Sequence, residues 1–252
     1  MQLKPMSKSI EPWDKSESVA IMQPYFFPYL GYFALIKHTD FFVVFDSVQY
    51  IRKGWINRNR VLKPSEGWQY MTAPIQAADR EAQIKDILVV EGQDWKMLIL
   101  RQLEHYKKKA PCYADVRRLL ENCFTSDELS ISRLNTAYIA QVCDYIGIEF
   151  KHAIFSEMDL MIGPVTGPDE WALRISQAMG ITTYVNPPGG REFFSSEKYR
   201  DNGIDLQFLD IKLKQYSQRR SAFEPGLSII DVLMFNTPEQ VRDMLDEISI
   251  QR

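Results

Sequence analysis

The sequence predicts a doubly wound α/β fold, a mostly parallel Rossmann-like sheet with helices on both faces. Three observations point there. Short continuous apolar runs mark strands buried on both sides, helical periods alternate with them, and polar or glycine-rich residues follow directly after the runs. Within 252 residues this fits a single α/β domain over 18–252, preceded by a polar tail over 1–17 and carrying a helical insertion at about 94–147.

Residues 18–22 (SVAIM) read as a first strand that runs into the turn Gln23-Pro24. After Pro28, the positions Leu30, Phe33, Ala34 and Ile36 describe a short helix with proline near its first turn. Residues 40–46 (DFFVVFD) form a second buried strand, which completes a right-handed crossover unit. Residues 68–75 and 84–90 are rich in β-formers and suggest an antiparallel hairpin or an edge extension. From 94 to 147 the apolar spacing becomes helical three times over, which gives the insertion. Strand character returns over 149–155, helix over 169–179, strand over 182–185, a helical turn over 195–200 and a last strand over 206–210.

Composition excludes several classes. With 30 basic and 33 acidic residues there is no global field to gather nucleic acid or anionic lipid. No apolar run approaches the ~18 residues of a membrane span, and the first residues lack the apolar core of a signal peptide, so the expectation is a cytoplasmic protein without membrane insertion. Cys112, Cys123 and Cys143 are odd in number and fall in helical stretches, which argues against a disulfide framework. His38, His105 and His152 have no neighbours at metal-ligand spacing, so no metal site is expected and the cofactor is unknown. No Walker, Gly-x-Ser-x-Gly or Gly-x-Gly-x-x-Gly pattern occurs.

Ligands of open α/β sheets bind beyond the carboxyl ends of the strands. That rule selects Gln23, Asp46, Ser156, Glu157 and Asn186. The turn that follows, with Gly189, Gly190 and Arg191, can present amide groups to an anion. Arg58 and Arg60 stand in a basic run with no acid, beside Gln49 and Asn57, and a guanidinium pairs bidentately with phosphate or carboxylate. Tyr25, Tyr29 and Tyr32 crowd the same turn and can stack on a base or a sugar. Gln218 lies in a late polar turn. Ser228 reads as a helix cap with Asp231 three positions later, as in a capping box.

These residues also carry a likeness. The stretch from Gln23 to Tyr32, residues 40–49 and the run Trp55-Ile56-Asn57-Arg58-Asn59-Arg60 resemble the opening signature of the WbqC-like family. The likeness continues through Asn135, Ser156-Glu157, Gly189-Gly190, Tyr216 with Gln218, and Ser228 to Asp231. The resemblance implies a place in bacterial gene clusters for O-antigen and other surface polysaccharides. A remoter likeness links Tyr29-Leu30-Gly31-Tyr32 to the His-x-Gly-His of nucleotidyltransferases, with tyrosine at both histidine positions. The expectation is an enzyme that modifies an amino sugar by acyl or aminoacyl transfer to the amine of a nucleotide-linked sugar. Asp46 or Glu157 would serve as base, Ser156 or Cys143 as a conceivable nucleophile, and the other polar residues would bind substrate. The alternatives are a non-catalytic sugar-nucleotide-binding or scaffold subunit and a nucleotidyltransferase-like enzyme.

Overall fold

The computed structural model describes residues 11–92 and 94–251. Six strands form one sheet: β1 (Ser18–Met22), β2 (Phe41–Val44), β5 (His152–Ile154), β6 (Thr183–Asn186), β7 (Asp205–Ile211) and β8 (Ile248–Gln251). Their spatial order is β5-β2-β1-β6-β7-β8, all parallel except β8 against β7. Counted along the chain this is the doubly wound order, and its direction of winding reverses between β1 and β6. The carboxyl ends of those two strands are therefore where a crevice opens.

The sheet's two faces bury separate cores, because side chains alternate along each strand. Ala20, Phe42 and Val44 face one core; Val19, Ile21, Phe41 and Val43 face the other. The first core is covered by α1 (Leu30–Lys37), α2 (Trp95–Gln102), α3 (Tyr113–Cys123), α4 (Ile131–Ile146), α7 (Ile229–Phe235) and α8 (Pro238–Leu245). Helices α5 (Glu170–Met179) and α6 (Ser196–Asp201) cover the second. Helix α1 is buried from Leu30 to Ile36, as befits an element apolar on every side. Helix α4 starts at Ser130, whose side chain accepts from the Arg133 amide, and stops at Gly147 with φ +73°.

Three expectations change. The strand over 68–75 does not pair with 84–90: β4 (Trp68–Thr72) pairs antiparallel with β3 (Arg58–Leu62) in a separate ribbon, and Ile75 with Val89 is only an isolated bridge. The basic run is thus a strand with period-two burial, Asn59 and Val61 turned inward and Arg58 and Arg60 outward. Of the expected tail, residues 1–10 lie outside the described residues, while Trp13 is buried and packs edge-on against Phe41, 6.0 Å between centroids. Strand β8 had no counterpart in the sequence reading; it covers the edge of β7 with only Ile248 half-buried.

Candidate active site

The loop from Gln23 to Tyr29 joins β1 to α1 and carries the aromatic signature. It is fixed by buried polar side chains from distant parts of the chain. Asn135 Nδ2 donates to the carbonyls of Pro24 (2.8 Å) and Ile56 (2.7 Å). Asn59 Nδ2 donates to those of Phe26 (3.1 Å) and Phe27 (2.9 Å), and Ser228 Oγ to that of Phe27 (2.7 Å). Phe27 is held at φ +41°, a region that a bulky residue occupies only when its surroundings impose it. Its ring stacks on Tyr138 with centroids 4.9 Å apart. The loop is consequently rigid, and it displays Tyr25 and Tyr29 outward.

Two cavities of about 300 Å3 each meet at Tyr25, which lines both. One arm lies at the reversal between β1 and β6 and includes Gln23, Phe45, Trp171, Asn186 and Phe193. Among the described residues no charged side chain lines it. The other arm, between the loop and the β3–β4 ribbon, is lined by Tyr25, Tyr29, Trp55, Asn59, Arg60, Leu213 and Gly226. Among the described residues Arg60 is its only charged lining residue. Burial raises the phenol pKa of Tyr25, and that of Tyr29 with help from Tyr25 and Asp210. Both therefore act as neutral hydrogen-bonding groups. A cavity of about 430 Å3 between Gly67, Lys109 and Arg220 is larger, but it lies away from the strand ends and Arg220 already donates to the Lys63 and Gly67 carbonyls.

The residues selected from sequence separate clearly against this cleft. Gln23, Tyr25 and Asn186 line the neutral arm; Tyr25, Tyr29 and Arg60 line the other. Tyr32 is fully buried and donates to the Gln23 carbonyl (3.0 Å), so it supports the loop from below. Asn57 accepts from Tyr50 Oη (2.8 Å) and donates to the Ala73 carbonyl (2.9 Å). Arg58 lies 4.0 Å over the Tyr70 ring and donates to the carbonyls of Lys53 and Gly54, which turns it into a brace of the ribbon. Gln49 donates to the Arg80 carbonyl (2.8 Å). Arg191 is exposed, 5.4 Å over the Phe208 ring.

The carboxylates expected to act as bases do not line the cleft. Asp46 is 1% exposed and accepts three bonds, from Ser132 Oγ (3.0 Å), Ser156 Oγ (2.7 Å) and the Ser156 amide (3.1 Å). It ties the end of β2 to α4 and to the turn after β5. Ser156 is its donor, and Glu157 pairs with Arg133. Cys143 is fully buried in α4, and burial pushes its thiol up; all three cysteines are free thiols. Among the described residues no three His, Cys, Asp or Glu side chains gather as a metal site, and no helix is long and apolar enough to cross a membrane.

Gly189 and Gly190 form a single 3-10 turn with Pro188 and have no positive φ. The Gly190 and Arg191 amides donate within the turn, to the Pro187 and Pro188 carbonyls, so no amide nest faces an anion. Gly190 serves space instead: a Cβ there would sit 2.0 Å from Asn186 Nδ2 and 3.0 Å from the Phe194 ring. Gly190→Ala is expected to displace the Asn186 side chain, which Tyr184 Oη holds at 2.8 Å, and to weaken any ligand of the neutral arm while the melting temperature moves by only a few degrees. Unchanged affinity at unchanged stability would contradict this.

Gln218 and Asp231 belong together. Asp231 is fully buried, not a capping-box partner; Tyr106 Oη, Tyr216 Oη (2.6 Å) and Gln218 Nε2 (3.3 Å) all donate to it. Gln218 also donates to the Glu224 carbonyl (2.9 Å) and accepts from the Glu224 amide (2.8 Å). This latch holds the segment that brings Leu213 and Gly226 to the cleft. Sequence reading missed Asn59 and Asn135 as loop anchors, and Trp171 and Phe193 as cleft walls. For Asn59 the signal was available, since an asparagine on the inward face of an alternating strand requires buried partners.

Comparison with known proteins follows the same residues. The chain matches the WbqC-like protein family over residues 23–243, a span that starts at Gln23 and includes every cleft residue named above. It is 30% identical over 231 residues to the uncharacterized protein Rv1507c of Mycobacterium tuberculosis, covering 91% of this chain and 97% of that one. No solved structure matches the chain. The chain belongs to the WbqC-like protein family.

Proposed function

We propose that this chain is a cytoplasmic enzyme of bacterial O-antigen or surface-glycan biosynthesis that binds a nucleotide-linked amino sugar in the two-armed cleft and transfers an acyl or aminoacyl group to its amine. The observation that carries the reading is the junction of the two arms at Tyr25: one, neutral and aromatic, lies at the sheet's reversal point where doubly wound folds take nucleotides, and the other, with a single arginine among its described lining residues, runs from it along the β3–β4 ribbon. In the reaction, the amine attacks an activated acyl carbonyl, the C–N bond forms, the bond to the donor's leaving group breaks, and that group takes the amine's proton. Orientation of two substrates supplies much of such a rate, and no protein nucleophile is required. The test is product analysis by mass spectrometry after incubation with a panel of nucleotide-linked amino sugars and activated acyl or aminoacyl donors. An acylated sugar nucleotide is expected; binding without product would sink the transferase reading.

A second reading, a sugar-nucleotide-binding or scaffold subunit, draws support from the engagement of Asp46 and Glu157 in structural contacts. The nucleotidyltransferase-like reading gains least, since Tyr32 is in the core and cannot meet a phosphate. Arg58 and Arg60 offer a sharp check on the site itself. Arg60→Ala is expected to weaken an anionic ligand by about 1.5 to 3 kcal/mol with little loss of stability, and Arg58→Ala to lower stability with affinity nearly intact. Equal effects of the two on affinity would place the anion elsewhere.

A further inference from the structure

We infer that the cleft reads its ligand in two chemically distinct halves: the neutral arm seats a nucleobase, and the Arg60 arm holds the anionic diphosphate. This rests on the sugar-nucleotide reading and adds to it the ligand's direction. The neutral arm has the shape and chemistry of a base site. Phe45 and Trp171 stand at its wall, 5.3 Å between centroids and inclined by 54°, and Phe193, 52% exposed, lines it too. A ring in that position gains most by stacking on a flat heterocycle.

Two carboxamides can read the base's edge. Asn186 is fixed, accepting from Tyr184 Oη and donating one hydrogen to the Pro187 carbonyl (3.0 Å), which leaves one N–H and one lone pair uncommitted. Gln23, half-buried at the end of β1, makes no side-chain hydrogen bond to the described protein groups. A carboxamide presents a donor and an acceptor side by side, the complement of a base edge.

The Arg60 arm is built differently. The guanidinium carbon lies 5.4 Å from the Trp55 ring centroid and 5.2 Å from that of Trp68. Both indoles lie within cation–π reach, a contact that takes none of the guanidinium's N–H groups. One edge position, Nη2, donates to the Gly226 carbonyl (3.0 Å). Nε is buried without a partner, and Arg60 forms no ion pair among the described residues. A cation aligned by two indoles and lacking a carboxylate is suited to a phosphate. The neutral arm offers a diphosphate no charge at all, which sets the direction.

The halves can be probed apart. Tryptophan fluorescence of the full chain is titrated with inorganic pyrophosphate, and separately with uridine, thymidine, cytidine, adenosine and guanosine, up to millimolar concentrations. The same titrations are made on Gln23→Ala and Arg60→Gln after circular dichroism has shown both to be folded. Pyrophosphate affinity should fall about tenfold or more in Arg60→Gln and stay within about twofold in Gln23→Ala. The best nucleoside should show the reverse. Equal losses on both probes, the opposite split, or no saturable binding by either probe overturns the assignment. Binding of both fragments in the expected pattern, with no binding of any sugar-linked nucleotide, upholds the two halves and rejects the sugar-nucleotide reading instead.

Discussion

Asp231→Ala should cost about 3 to 5 kcal/mol of folding stability, the largest single effect expected from a polar side chain of this protein. The carboxylate lies at 0% exposure and receives hydroxyl donors from Tyr106, in the turn after α2, and Tyr216 of the late segment. Alanine removes both acceptors and leaves the two hydroxyl hydrogens without a partner, while Tyr106 Oη goes on accepting from the Leu62 amide (2.8 Å) and Tyr216 Oη from Gln218 Nε2 (3.2 Å). Urea denaturation measures the loss, and a value below about 1 kcal/mol would refute the argument. The pH dependence has a definite sign. Burial raises the Asp231 pKa above 3.8, outweighing the tyrosine and glutamine hydrogen bonds that lower it. The folded state thus binds this proton more tightly than the unfolded one, and the group's contribution is greatest below the unfolded pKa and declines as pH rises through the folded value. Asp231→Asn should remove that slope from the difference between variant and parent.

Asn135→Leu is the second large effect, at about 2 to 4 kcal/mol, and it should strike binding as well. Leucine keeps the branching and the number of heavy atoms but leaves the Pro24 and Ile56 carbonyls without donors inside the protein. Asn135 Oδ1 is buried without a partner, so its removal offsets part of the loss and the two freed carbonyls set the cost. The released loop carries Tyr25, the one residue common to both arms, so affinity for a nucleotide-linked sugar should drop together with stability. Denaturation and titration of the same preparation check both parts. A variant that is less stable yet binds undiminished would show that the loop keeps its form without this anchor.

Much of this architecture was legible from strand and helix periods. The runs SVAIM and FFVV are short, almost wholly apolar and bounded by turn residues, the pattern of central parallel strands. What escaped were contacts between residues far apart in sequence. A basic run looks the same whether it is a solvated turn or a strand, and only the partner strand Trp68–Thr72 decides. Asp46 followed a strand as a catalytic carboxylate would, and sequence could not reveal Ser132 and Ser156 closing over it. Asp231 was three positions after a capping serine, a local pattern that fitted but was overruled by two tyrosines 125 and 15 residues away. Local rules located the strand ends correctly; which side chains point into the crevice is a question of tertiary packing.

The separation of the two arms has a consequence for how this site can change. One arm is framed by β6, α5 and the turn after β6, against the core of one sheet face; the other by the β3–β4 ribbon and the late segment, against the opposite core. Substitutions in one set share few neighbours with those in the other, so their effects on affinity should add rather than interfere. A lineage could then exchange one half of its ligand by rebuilding a ribbon of ten residues while retaining the other half unaltered. Specificity in such a protein is combinatorial, and Tyr25, which belongs to both halves, is the position least free to vary.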